Sequence, residues 1–225
     1  MYQLITGPLL WLCFGVFFIG IIVRIVRYIK GLNWQMDRVT YRVNVSYGIK
    51  GAARSIFFWI FPFGTRSWRS KPGMTILFFV FHIALLITPI FLLAHNLLIR
   101  ERLGISWVTI PGPVADILTI AVIVCAVFLA LRRLAYPEVR ILTTAYDYFL
   151  LLVAVAPFIT GFLASHNAAG YTFWFMAHII CGEIMLVLIP FTKLSHMILF
   201  FLSRAQLGMD FGIKRGGMKG KGMAW

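Results

Sequence analysis

The chain has 225 residues, 61% of them hydrophobic, and a mean hydropathy of +0.90. A soluble domain of this size cannot bury so much apolar surface, so the composition excludes the soluble classes and makes the bilayer the solvent. The formal net charge of +14 comes from 21 Lys and Arg against 7 Asp and Glu; in so apolar a chain it reads as a topology signal with headgroup contact, not as a nucleic-acid surface.

Five apolar stretches are long enough to cross a membrane, at approximately 7–29, 74–99, 113–131, 141–164 and 172–202. Runs such as Ile76 to Ile87 do not alternate every second residue as barrel strands would. The predicted fold is therefore an all-α bundle of five transmembrane helices in a single domain over 1–225. The first stretch has no basic n-region between Met1 and Trp11 and leads straight into Arg24, Arg27 and Lys30, so it is expected to be a retained helix and not a removable signal. The polar stretch 30–73 is too short and interrupted to bury a core of its own. Within it AARSIFFWIFPFG, Ala52 to Gly64, is predicted to form a helix lying in the cytoplasmic interface. The basic, Gly-rich tail, 208–225, is expected to be mobile unless a partner orders it. There is no internal repeat.

Nineteen of the 21 Lys and Arg fall in 24–73, in 132–140, or from Lys193 onward, leaving only Arg100 and Arg102 elsewhere. By the positive-inside rule those stretches are cytoplasmic, which puts the N-terminus and the 99–112 and 165–171 loops outside. Cys13, Cys125 and Cys181 all lie in apolar spans without a C-x-x-C pair, so iron–sulfur clusters, covalent haem attachment and a disulfide framework are unsupported.

Histidine inside a bilayer is costly and is usually kept for a function, either a helix-to-helix hydrogen bond or ligation. His178 and His196 are eighteen residues apart in the last stretch. On one helix that is five turns, the same face and about 27 Å. His82 and His95 occupy the second stretch, about 20 Å apart by the same rise. By depth, His82 matches His196 on the cytoplasmic side and His95 matches His178 on the outer side. Two pairs on two helices predict two b haems, His82 with His196 at the inner one and His95 with His178 at the outer. Bis-imidazole iron passes electrons without binding substrate, and the porphyrin is apolar enough to sit between helices. Zinc would want four ligands in one place, and Glu183, five residues beyond His178, is off its face. At 100° per residue His95 is turned about 140° from His82. Pro89 between them offers a kink, and His166, in the loop after the fourth stretch, is the substitute ligand.

At these residues the chain resembles the membrane cytochrome b subunits related to the gamma subunit of respiratory nitrate reductase. The resemblance covers all five helices and rests on FHI at Phe81 to Ile83, the step from His178 to His196, and IPFTKLSH at Ile189 to His196. The basic loop PFGTRSWRSKPG, Pro62 to Gly73, is similar to relatives in the transmembrane redox complexes of sulfate-reducing bacteria, closest to the cytochrome b subunits of high-molecular-weight cytochrome c complexes. The resemblance implies two stacked b haems between the second and fifth helices, a place in the bacterial inner membrane, and menaquinone beside a haem. It further implies a cytoplasmic iron–sulfur subunit, other integral-membrane subunits and a periplasmic multihaem cytochrome c as partners. His82, His178 and His196 match the family's ligand motifs; the outer histidine of the second helix falls at a different spacing, so His95 carries over loosely.

A quinone site needs a hydrogen-bonding group able to exchange protons in an apolar pocket. Candidates are Arg100, Arg102 and Asp116 at the outer end and Asp147 and Lys193 at the inner end, each more readily read as an interface anchor or haem-propionate partner. Two other classes fit the composition: a transporter or proton pathway in which the histidines and Asp147 relay protons, and a haem-free anchor for peripheral subunits. The transporter class favours broken helices in paired halves, which the sequence does not display.

Overall fold

The computed structural model describes residues 2–32 and 45–214. These are helical apart from turns and short connections, and five helices are long and apolar enough to cross a membrane. In chain order, a short lead-in, Tyr2–Leu4, and a π turn, Ile5–Leu9, run into α1, Leu10–Lys30. Then come α2, Val45–Ile60; α3, Arg66–Ser70; α4, Pro72–Phe91; and α5, Leu93–Leu103. They are followed by α6, Gly112–Ala135; α7, Pro137–Arg140; α8, Ala145–Ser165; α9, Tyr171–Phe191; and α10, His196–Lys214. The spans are Ile5–Lys30, α4, α6, α8 and α9. A chain with five such helices is a multi-pass membrane protein.

Two predicted spans are shorter than expected. The stretch 74–99 is not one helix: α4 ends at Phe91, Leu92 is extended at φ −68° and ψ 131°, and α5 restarts at Leu93. The stretch 172–202 breaks in a similar way, α9 ending at Phe191 before a 3-10 turn over Lys193–Ser195 and a fresh helix from His196. Thr192 makes this second break. Its hydroxyl donates to the Leu188 carbonyl at 2.8 Å and accepts from the Leu194 amide at 3.2 Å, closing one helix and capping the next turn. His178 and His196 therefore do not share a continuous helix, and a count of five unbroken turns between them does not apply. Each break ends one of the five long apolar helices.

The chain divides into two compact units, Met1–Cys13 with Leu77–Met185, and Phe14–Ile76 with Leu186–Trp225. In the first, Phe81 and Ala84 of α4, Val122, Cys125 and Ala126 of α6, and Val155 and Phe158 of α8 form one buried cluster. Many other apolar side chains stay exposed, such as Ile117 at 67% and Leu152 at 61%, as expected where lipid replaces water.

In the second unit α2 packs on α10 through two glycines. A methyl group on Gly51 would collide with the Gly208 carbonyl oxygen, and one on Gly208 with that of Gly51, so only glycine lets these backbones approach. Arg204 lies over the Trp59 ring at 4.5 Å, and Trp59 meets Trp68 edge to face at 5.6 Å. The helix expected at 52–64 thus starts earlier and ends at Ile60, and residues 208–214 of the expected mobile tail are the last turns of α10. The rest of the tail, 215–225, lies outside the described residues.

The same unit holds the start of the α9 break. Arg24 Nε of α1 donates to the Pro190 carbonyl at 2.9 Å, an acceptor left over at a helix end, while Gly20 gives Pro190 room: a methyl there would lie 2.6 Å from its Cβ. Arg24, one of the basic residues that mark topology, also satisfies a backbone group within a span.

Candidate functional site

The break at Leu92 sets the direction of His95. A helix end leaves carbonyls without amide partners, and three consecutive ones are satisfied from further along the chain. His95 Nδ1 donates to Pro89 O at 2.8 Å, Trp107 Nε1 to Ile90 O at 2.7 Å, and the Ile110 amide to Phe91 O at 2.9 Å. Buried Asn96 then ties the segment down by donating to Trp107 O at 3.0 Å. The extended residue at Leu92 interrupts the helical count between His82 and His95, so the 140° offset of one ideal helix does not apply to them.

On α9, His178 is held by the same kind of bond. Its Nδ1 donates to Pro157 O of α8 at 2.8 Å. Gly161, one turn further along α8, leaves space for the ring: a methyl group there would lie 2.8 Å from Nδ1 and 2.9 Å from Cε1. The His95 and His178 rings then face one another within the first unit, with centroids 5.9 Å apart and planes 10° from parallel.

This pair fits a bis-imidazole centre in its donor set. Each Nδ1–H is committed to a backbone carbonyl, which fixes the tautomer and leaves Nε2 with the lone pair, the arrangement that orients metal-bound histidines. Two metal–nitrogen bonds of about 2 Å each, plus the ring radii, span about the observed separation. Among the described residues no three or more His, Cys, Asp or Glu come together, so the four-ligand cage that zinc prefers is not assembled.

The other histidines divide. His82 of α4 is half-buried and bonds through Nδ1 to Phe78 O at 2.8 Å, with its ring against Phe78 at 4.1 Å. His196 is exposed at the first position of α10, and its Nδ1 bonds to Lys193 O at 2.8 Å. They belong to different units. All four expected ligands therefore donate Nδ1 to the backbone. His166 shares the Nδ1 pattern, with Phe162 O at 3.0 Å, but it is exposed and its Nε2 lies 3.5 Å from Asp116 Oδ2. With Nε2 turned to a carboxylate, it is not brought to the His95 and His178 pair.

Of the quinone-site candidates, Asp147 has a structural role, since its Oδ2 accepts from the Thr144 amide and hydroxyl, both at 2.9 Å, in a capping box that starts α8. Asp116 faces His166, and Arg100, Arg102 and Lys193 are exposed. One polar residue that sequence reasoning left without a role lies inside the protein: Glu183 of α9 is 5% exposed.

No known family model matches the chain, and no solved structure matches it. A protein of Nitratidesulfovibrio vulgaris (strain Hildenborough), whose name is given only as "Protein", is 51% identical to it over 226 residues, an alignment that covers the whole of both chains. The chain belongs to the family of that protein.

Proposed function

We propose that the chain is a di-haem b membrane subunit of a respiratory redox complex, carrying electrons across the bacterial inner membrane between a menaquinone pool or a periplasmic cytochrome c and a cytoplasmic iron–sulfur subunit. The observation that carries this reading is the pair of parallel imidazoles of His95 and His178, 5.9 Å apart, each with Nδ1 committed to a proline carbonyl. His95 and His178 would hold one haem. The second is assigned to His82 and His196 from the sequence and the resemblance alone. A bound haem would supply a one-electron carrier that turns over without binding substrate.

The protein's own part is orientation and exclusion. The carbonyls of Pro89 and Pro157 hold the two rings at fixed pitch, Gly161 admits the His178 ring, and the buried cluster of Phe81, Val122 and Phe158 keeps water from the neighbouring helices. A two-haem carrier needs a separate electron donor and acceptor, so the chain is read as a subunit. The orientation with N-terminus outside, the interfacial seat of α2 and the partners follow from the charge distribution and the resemblance. The test is a reduced-minus-oxidised spectrum of the purified chain with a haem count: two extractable b haems per polypeptide are expected, and a colourless protein contradicts the reading.

A further inference from the structure

Glu183 is the thirteenth of 21 residues in α9, about 18 Å along a span whose full rise is about 31 Å. It is 5% exposed, and its Oε1 accepts no hydrogen bond from any described residue. The titratable side chain facing it is the Cys13 thiol of α1, and among the described residues it has no ion-pair partner. A carboxyl at mid-membrane is costly and is retained for a function. That function is not ligation, because Glu183, five residues from His178, points about 140° away around the helix, while its offset along the axis is only about 7.5 Å.

That combination is close enough to feel a change of charge at a metal held by His178, in a medium that screens little. It is too far round the helix to bind the metal. We propose that Glu183 is a proton-exchanging site coupled to the redox state of the centre at His95 and His178. When a quinol or an electrode delivers one electron there, one proton from water moves onto the Glu183 carboxylate and an O–H bond forms. When the electron leaves, that bond breaks and the proton returns to water, so the net charge of the span stays constant. The inference rests on the haem reading above.

The test uses the full chain in lipid vesicles, with visible and infrared reduced-minus-oxidised spectra taken on one sample. The expected result is a carboxyl carbonyl band that appears on reduction, shifts in heavy water, and is absent in Glu183→Gln while the haem bands persist. Isotope-labelled glutamate in the unsubstituted chain gives the same assignment should the variant fail to accumulate, because the other two glutamates, Glu101 and Glu138, are exposed and outside the spans. Haem bands with no carboxyl signal, or one that survives in Glu183→Gln or ignores the label, overturn the inference and leave the haem reading standing. A chain without haem overturns both.

Discussion

His95, in the first turn of α5, and His166, just past the end of α8, both turn Nδ1 to a backbone carbonyl, yet His166 has a carboxylate at its other nitrogen. The carbonyl is that of Pro89 for His95 and of Phe162 for His166, and the carboxylate at His166 Nε2 is that of Asp116. His95→Ala and His178→Ala should therefore each abolish the same one of two spectral components, and His166→Ala should leave both, as read in reduced-minus-oxidised spectra of the purified variants. Loss of a haem in His166→Ala would reverse the assignment. Gly161 is a sharper probe because it touches the ring and not the metal. Its replacement by Ala puts a methyl 2.8 Å from His178 Nδ1, an overpacking that costs about 1–3 kcal/mol. The expected outcome is a folded chain in which that one haem is lost or spectrally shifted, whereas the same change at Gly182, which has open space around it, alters neither.

At the scale of elements, the two breaks at Leu92 and Thr192 decide where the histidines stand. Proline three residues before the first and two before the second is visible in the sequence as a reason to kink, but the site of each break is not. It is set by partners distant in the chain: Trp107 and Ile110 donate to the carbonyls that end α4, and Arg24 donates to that of Pro190, 166 positions away. Periodicity reads one helix at a time and carries no such information. The five spans, by contrast, are legible from length and hydropathy alone, because lipid imposes both. The closeness of His95 to His178 is legible by depth, and the place of His166 beside Asp116 is not, since that carboxylate comes from another span. Removing a partner exposes the cost: Trp107→Phe leaves the exposed Ile90 carbonyl without its donor and should destabilise the α4–α5 junction by about 0.5–1.5 kcal/mol, measured as a lower thermal midpoint in detergent. Unchanged stability would show that water replaces the indole.

For the whole molecule, the aromatics Phe57, Phe58, Trp59 and Phe61 in and just after α2 divide into an outward group and an inward one. Trp59 lies beneath Arg204 and against Trp68, while Phe57 and Phe61 are 56% and 50% exposed. Phe57 packs on Phe61 at 4.6 Å and on Phe58 at 5.7 Å, and their outward surfaces are those available for lipid or a partner subunit. Phe57→Ala with Phe61→Ala should release a cytoplasmic partner, seen as its loss when the complex is isolated, with α2 and α10 still packed; Trp59→Ala should instead loosen that pair and raise its susceptibility to protease. Retention of the partner at full stoichiometry in the double variant would place the docking contact elsewhere. The central claim, that this chain is a membrane electron carrier, is tested most directly by extracting the pigment from the purified full chain and counting it. Two acid-extractable b haems per polypeptide, reduced to one in His178→Ala, are predicted; a count near zero, or a count unchanged by that substitution, would contradict it.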